Sequence, residues 1–180
     1  MPIVEATPEN AAPFGHFIGV AQTGGVTSPF YGDAVTISSI PGFVCKDADV
    51  VLATLNRRPL EARFLERHAL HTQAFLPISN KPFVALMAPP APDKELPDLQ
   101  DLVALRFDGR SGFVMHRGTW HEFPFAVEDG TDLVVVLSKS AHADLAPSNV
   151  HENEAHGPDL DKKDVVARLG IVIELSHKAK

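Results

Sequence analysis

The stretch FVMHRGTWHEFPF, residues 113–125, places two histidines, an arginine, a glutamate and the single tryptophan of the chain between apolar flanks. The flanks are typical of a buried strand, and the polar middle is typical of a binding or catalytic site. Strand alternation would send His116 and His121 to opposite sides of a sheet. Gly118 predicts a bulge or tight bend that changes this order, so the sequence does not decide which histidine faces a cavity.

Composition predicts an ordinary globular protein. Of its 180 residues, 44% are hydrophobic and 22% are charged, which favours one domain over residues 1–180. The net charge of −7, with no Lys or Arg run longer than two residues, argues against nucleic acid as a partner. Cys45 has no second cysteine to pair with, and neither a signal peptide nor a membrane-length apolar run is present. We expect a cytoplasmic protein with no membrane partner.

Short β-branched segments predict an all-β fold. The chain is divided by 15 prolines and 12 glycines into pieces too short for long helices. Eight segments have the apolar or alternating pattern of strands, and this number is typical of a β-sandwich or a small β-barrel with little helix. They begin at Ala34, Asp49, Thr72, Pro82, Leu102, Gly112, Asp132 and Ala167.

Helix signals are few. Thr7 is a candidate N-cap for one or two helical turns before Gly15, and residues 95–102 predict another short turn. Residues 146–164 are polar and turn-rich, which predicts a long exposed loop. His71 is expected to be a loop or surface residue.

Two segments that are far apart in the chain contain candidate metal ligands. Glu66, His68 and Gln73 in the first and His121 in the second have the spacing of the two cupin metal motifs in degenerate form, with His116 in place of the usual proline. Two imidazoles and two oxygen donors would leave open positions on a divalent metal ion, whose identity the sequence does not fix. The alternative is a pair of histidines at a barrel mouth, hydrogen-bonded to neighbours without a metal.

Four longer segments carry further signatures: LERHALHTQAFLPISNKPFVAL (65–86), PDLQDLVALRF (97–107), GFVMHRGTWHEFPFAV (112–127) and TDLVVV (131–136). They resemble the ureidoglycolate lyase family of the cupin superfamily, over about residues 56–136. The resemblance implies an all-β fold of the cupin-like double-stranded β-barrel (jelly roll) type with a few short helices. It also implies a homodimeric enzyme that cleaves ureidoglycolate to glyoxylate and urea in purine-derived nitrogen recovery (allantoin degradation), without an organic cofactor.

The reaction implied by the resemblance requires a proton carrier. The substrate hydroxyl loses a proton while the leaving nitrogen gains one, so a general base and a general acid suffice. Histidine titrates near neutral pH, which makes His121 and His116 the catalytic candidates, with Glu66 as a ligand or as an orienting group.

Four residues are candidates for contact with the substrate. Arg117 or Lys81 would bind its carboxylate, Gln73 would bind its polar groups, and Trp120 would form an apolar wall. Arg117 has the alternative of an ion pair with Glu122 or Asp108. Trp120 has the alternative of a place in the core.

The chain also departs from the family pattern. Leu137 and Ser138 stand where the family usually has Asp and Arg. If those charges bind the ureido group, this protein acts on another ureido or α-hydroxy acid. Two further hypotheses therefore stay open: a metal-dependent cupin enzyme of different chemistry, such as a sugar-acid isomerase or an oxygenase, and a non-catalytic module that binds a small carboxylate.

Overall fold

A computed structural model describes residues 1–19 and 25–177, and strands joined by short helices make up most of this part of the chain. The helices are α1 (Pro8–Ala11), α2 (Lys139–Asp144) and α3 (Val165–Leu169), with 3₁₀ turns at Leu99–Asp101 and Pro147–Asn149. The strands are β1 (Pro2–Glu5), β2 (Gly15–Ile18), β3 (Val26–Ser28), β4 (Gly32–Ile37), β5 (Ala48–Leu55), β6 (Glu61–Ala62), β7 (Phe64–His68), β8 (Ala74–Pro77), β9 (Phe83–Ala88), β10 (Val103–Phe107), β11 (Gly112–Met115), β12 (Trp120–His121), β13 (Phe125–Ala126), β14 (Thr131–Ser138), β15 (Val150–His151), β16 (Glu154–His156), β17 (Leu160–Asp164), β18 (Ile173–Glu174) and β19 (Ser176–His177).

Two β-sheets contain most of the strands. The larger has the order β15-β16-β17-β7-β12-β9-β10-β1-β19 with β13 also paired to β9, and the smaller has the order β2-β11-β8-β14-β5. Strand β9 is buried along its whole length, and its residues alternate between two hydrophobic cores. Phe83 and Met87 join a core with side chains of the smaller sheet, such as Phe113 and Val135, whereas Leu86 joins a second core on the other face. The all-β, cupin-like double-sheet fold is confirmed.

Most of the local expectations are confirmed. All eight predicted strand segments contain strand residues, although the last of them contains only the two residues of β18. Thr7 caps α1, because its hydroxyl accepts from the Asn10 backbone N–H, and a 3₁₀ turn lies at Leu99–Asp101. No helix in the described ranges is long and apolar enough to cross a bilayer.

The strand predicted from Ala167 is wrong over most of its length. The Asp164 carboxylate accepts from the Ala167 backbone N–H and starts α3, and Gly170, with φ of 70°, ends it. Only the two-residue strand β18 follows. The helix-start and helix-stop signals outweigh the β-branched composition of this segment.

The long exposed loop predicted at residues 146–164 is also wrong. Glu152 and Asn153 have positive φ and turn the chain between β15 and β16, and β17 then pairs with the full length of β7. Polar composition concealed a strand whose residues lie in the large sheet. This pairing brings the segment to the candidate site.

The buried carboxylate of Glu122 joins the chain after β12 to the start of β7. Its two oxygens accept from the backbone N–H groups of Arg63, Phe64 and Phe123, and Arg58 lies 3.6 Å away. The structure therefore pairs Glu122 with Arg58 and not with Arg117.

Replacing Glu122 by alanine should lower the free energy of unfolding by about 2–4 kcal/mol, because backbone donors lose a buried acceptor. Urea denaturation measures this difference. Glu128→Ala, at an exposed position, is the control and should change stability by less than about 0.5 kcal/mol. Equal stability of the two variants would contradict the proposed anchor.

A second anchor holds α3 against β16. Glu154 accepts from Arg168 Nε at 2.6 Å and Nη2 at 2.8 Å, and from the Asp164 backbone N–H at 2.9 Å. The hydrogen bonds from Arg168 lower the pKa of Glu154 to about 2, against an opposing effect of burial.

This pKa predicts a pH-dependent stability difference. The folded pKa lies below the ordinary value of 4.5, so the contribution is complete above that value and is lost as the pH falls towards about 2. We expect Glu154→Gln to lower the melting temperature by about 2–4 °C at neutral pH, with the difference shrinking through that window. Calorimetry from pH 7 to pH 2 measures it, and a difference that is constant with pH would contradict the assignment.

Candidate functional site

A row of three polar side chains crosses the large sheet where β12, β7 and β17 lie side by side. His121 pairs with Glu66 across the first ladder, and Lys162 pairs with Glu66 across the second. Residues directly opposite on antiparallel strands project from the same face. His68, two residues beyond Glu66 on β7, shares that face by strand alternation.

The ligand atoms of this row lie close together. One atom each from Glu66, His68 and His121 falls within a group that is 4.8 Å across, and all three side chains are buried. His121 Nε2 lies 3.5 Å from Glu66 Oε1, and Lys162 Nζ donates to Glu66 Oε2 at 2.8 Å. Gln73, also buried, precedes β8. Four residues that sequence spacing predicted as ligands are therefore buried in one region.

The buried nitrogens of this group have lone pairs without a protein partner. His121 Nδ1 lies 3.1 Å from the Thr119 carbonyl oxygen and donates to it, so in the neutral form of the ring Nε2 carries the lone pair. Neither ring nitrogen of His68, nor Gln73 Oε1, has a hydrogen-bond partner among the described residues. Unpaired buried acceptors cost free energy, and two imidazoles with carboxylate and amide oxygens are a donor set that fits a divalent transition metal.

The protonation state of the site suits a cation. Burial, helped by the nearby His121, lowers the pKa of His68 to about 3, so its imidazole is neutral near neutral pH. Burial acts to raise the pKa of Glu66, but the hydrogen bond that the protonated form of His121 donates and the charge of Lys162 outweigh it and lower that pKa. Neutral imidazole and ionised carboxylate are the forms that bind metal ions. Their lowered pKa values also make His68 and Glu66 weak bases for proton transfer.

A cavity of about 260 Å³ opens beside this row. Its polar lining includes Glu66, His68, Gln73 and Lys162, whereas His121 is not among the described residues that line it. The rest of its wall is mainly apolar and includes Leu137, one of the two departures from the family pattern. The remaining lining residues are Val51, Phe123, Val135, His142 and Leu145.

The structure does not bring the other predicted site residues to this cavity. His116 is exposed near the Ala12 carbonyl oxygen, and Arg117 lines a separate open cleft of about 480 Å³. Lys81 donates to the carbonyl oxygens of Asp129 and Gly130.

Trp120 belongs to the second core and not to the cavity, although it lies next to His121 in the stretch 113–125. It is fully buried in the second core, with the Arg67 guanidinium stacked 4.6 Å from its ring centroid. Because Trp120 and His121 are neighbours on β12, they face opposite sides of the sheet. Gly118, with φ of 78°, makes the predicted tight bend that precedes them.

His71 is buried, contrary to the expectation of a surface residue. Its Nδ1 donates to Asp159 Oδ2 at 2.8 Å, and its ring centroid lies 4.6 Å from that of His68. The Asp159 carboxylate also accepts from Ser138, the second departure from the family pattern, and from the Leu70 backbone N–H. A network behind the cavity thus holds the His68 side of the site in place.

Sequence reasoning missed two titratable residues that line the cavity, Lys162 and His142. His142 lies on α2, and its Nδ1 is 2.9 Å from Asp49 Oδ2, which leaves Nε2 with the lone pair. The pairing of β17 with β7 places Lys162. No spacing motif marks either residue, although alternation in the LDKKD segment was a weak signal for a strand.

Comparisons with known proteins identify one family. A family model described as ureidoglycolate lyase matches residues 2–156. The ureidoglycolate lyase of Azotobacter vinelandii is 30% identical over 148 residues, which cover 76% of this chain and 85% of the relative. Ureidoglycolate lyases of Pseudomonas putida and Pseudomonas aeruginosa are 40% and 41% identical over 78 residues, or 43% of this chain. The chain matches 45% and 44% of the length of those two relatives.

The family match includes the strands that carry Glu66, His68 and His121, together with Gln73, and ends before β17. It covers most of the sequence, so this chain belongs to the ureidoglycolate lyase family.

Proposed function

We propose that the cavity beside Glu66 and His68 cleaves ureidoglycolate to glyoxylate and urea. The observation that carries the proposal is the meeting of both family segments at one buried cluster of unpaired imidazole nitrogens. Relatives of the same family are named for this activity.

The proposed reaction is an elimination that needs no oxidant and no water. The hydroxyl on the central carbon loses its proton, its oxygen forms the carbonyl of glyoxylate, and the C–N bond breaks. The released nitrogen takes up one proton, which completes urea. Catalysis therefore requires the removal of one proton, the delivery of another and the neutralisation of an anionic substrate.

We propose that Glu66, His68 and His121 hold a divalent metal ion, with Gln73 as a further oxygen donor. When bound, such an ion would supply a Lewis acid for the hydroxyl and carboxylate oxygens of the substrate. The lone pair of His121 Nε2 and the unpaired nitrogens of His68 support this assignment, as does the neutral state of His68. His121 lies behind the cavity lining, which suits a ligand better than a group that contacts the substrate.

We assign the proton transfer to His142. It is the cavity-lining histidine outside the metal cluster, and Asp49 fixes its tautomer with the Nε2 lone pair free. A carboxylate-paired histidine is a usual general base, because the pair orients the ring and stabilises the imidazolium. The apolar wall formed by Val51, Val135 and Leu137 limits water around the breaking bond.

Several expectations from the sequence stay predictions. They are the single domain over residues 1–180, the homodimer, the cytoplasmic location and the place in purine-derived nitrogen recovery. The roles predicted for His116, Arg117, Lys81 and Trp120 also stay predictions, and their positions outside the cavity do not support them.

Purified protein should release urea and glyoxylate in equal amounts from racemic ureidoglycolate, up to half of the substrate if one enantiomer reacts. Protein made without a metal-binding tag should carry about one divalent ion per chain by mass spectrometry of the elements. Dialysis against EDTA should lower turnover about tenfold or more, and a divalent ion should restore it.

The outcomes of this experiment separate the open hypotheses. Metal without urea release would favour a cupin enzyme of different chemistry. Ligand-dependent thermal stabilisation by glyoxylate without turnover would favour the non-catalytic module. Full turnover after complete metal removal would contradict the metal assignment and leave the lyase assignment standing.

Two histidine variants should fail in different ways. His121→Ala should lose the metal and lower turnover about 100-fold or more, because a ligand is removed. His142→Ala should keep the metal and lower kcat about 100-fold, which is the usual loss when a general base or acid is removed. Metal analysis and steady-state kinetics on the same preparations distinguish the two losses.

Exposed His151 provides the matched control, and His151→Ala should retain full activity and metal. His116→Ala tests the role predicted from the sequence: turnover within about twofold of the parent is expected, because His116 does not line the cavity. A His142→Ala enzyme with unchanged kcat would remove that residue from the mechanism.

A further inference from the structure

We infer that Lys162 binds the carboxylate of the substrate, an inference that rests on the proposed function because it names the cation of the same cavity. Lys162 lies on β17, opposite Glu66 in the ladder with β7, and it lines the cavity.

The ammonium of Lys162 uses one of its N–H donors within the protein, and the others are available to a ligand. Its Nζ donates one N–H to Glu66 Oε2 at 2.8 Å, and its side chain is one quarter exposed. An ammonium has three N–H donors, and among the described residues Glu66 is its hydrogen-bond partner. Two donors therefore remain for an acceptor in the cavity.

Three other cationic side chains that could be considered for the substrate carboxylate do not line the cavity. Arg67 points to the opposite face of β7, where it pairs with Asp161 at 3.1 Å and stacks on Trp120. Arg117 and Lys81 lie away from the cavity. Among the described lining residues, Lys162 is the one lysine or arginine.

The charge balance of the cavity makes Lys162 important for an anionic ligand. The Glu66 carboxylate would repel a substrate carboxylate in its vicinity, and the Lys162 ammonium, 2.8 Å from Glu66 Oε2, offsets that repulsion. An ammonium acts as a point charge, so it can serve Glu66 and a bound carboxylate together. Loss of this lysine would leave the buried carboxylate uncompensated and weaken anion binding.

Lys162 lies outside the segment that the family model matches. The family model ends at residue 156, so Lys162 comes from a strand beyond the matched segment. The C-terminal strand β17 would then supply the carboxylate-binding group, while strands within the matched segment supply the metal ligands.

The test compares Lys162→Met, Lys162→Arg and the control Lys94→Met, which removes an exposed lysine paired with Asp98. Lys162→Met should raise KM for ureidoglycolate about tenfold or more and change kcat less than about threefold, because carboxylate binding is common to ground and transition states. Lys162→Arg should stay within about fivefold of the parent KM, because it keeps the charge. Lys94→Met should match the parent.

Calorimetric titration with the two products separates the carboxylate from the rest of the ligand. Lys162→Met should bind glyoxylate about tenfold or more weakly and bind urea, which has no carboxylate, within about twofold of the parent. Titrations use protein as purified, with its metal content measured, and again after dialysis against EDTA, so a lost metal cannot cause the difference. Thermal melting confirms that each variant is folded.

Glyoxylate affinity and KM that are unchanged in folded Lys162→Met would overturn the inference, and so would an equal loss of urea binding. If the parent releases no urea, the proposed function fails, but weaker glyoxylate binding by Lys162→Met would still support the carboxylate site. A parent that binds no glyoxylate would overturn both.

Discussion

The register between β7 and its two neighbours is the constraint on which the site depends. Because His121 and Lys162 both lie opposite Glu66, three polar side chains must share one face of the large sheet. A slip of one residue in either ladder would turn His121 or Lys162 to the opposite face. The aromatic and apolar residues that alternate with this row, Leu65 and Trp120, are buried in the second core and hold the register in place.

The same alternation explains why so many polar atoms are buried beside a hydrophobic core. Glu66, His68 and His121 are each less than 5% exposed, and the first core packs next to them, with Phe75 close to the His121 ring. Burial depresses the pKa of His68, and the cluster keeps unpaired nitrogens that folding alone would not favour. A bound cation and an anionic substrate would offset that cost, so the proposed function would account for an arrangement that stability alone does not explain.

Residues with a clear local pattern were predictable from the sequence, and residues placed by long-range pairing were not. Glu66 and His68 were predicted to share a face because their spacing matches strand alternation, and the apolar strands were predicted from the same kind of pattern. Gln73 and His121 were predicted from the wider motif spacing. Strand β17 was missed because a polar, turn-rich segment looks like a loop until its partner is known. That one error removed Lys162 and Asp159 from consideration. His116 and Arg117 were given roles because they adjoin His121 in the chain, but the bend at Gly118 separates them from the cavity.

Leu137 and Ser138, the two positions predicted to depart from the family pattern, both lie near the segment that leads into β17. Leu137 forms part of the cavity wall, and the Ser138 hydroxyl donates to Asp159, which also holds His71 and the Leu70 backbone. The turn that carries Asp159 is fixed by the buried Asp144 of α2, whose carboxylate accepts the backbone N–H groups of Asp159 and Leu160. Strand β17 begins directly after this turn and brings Lys162 to Glu66. A neutral residue at position 138 therefore fits a site in which the carboxylate at position 159 and the ammonium at position 162 provide the charges from the C-terminal segment.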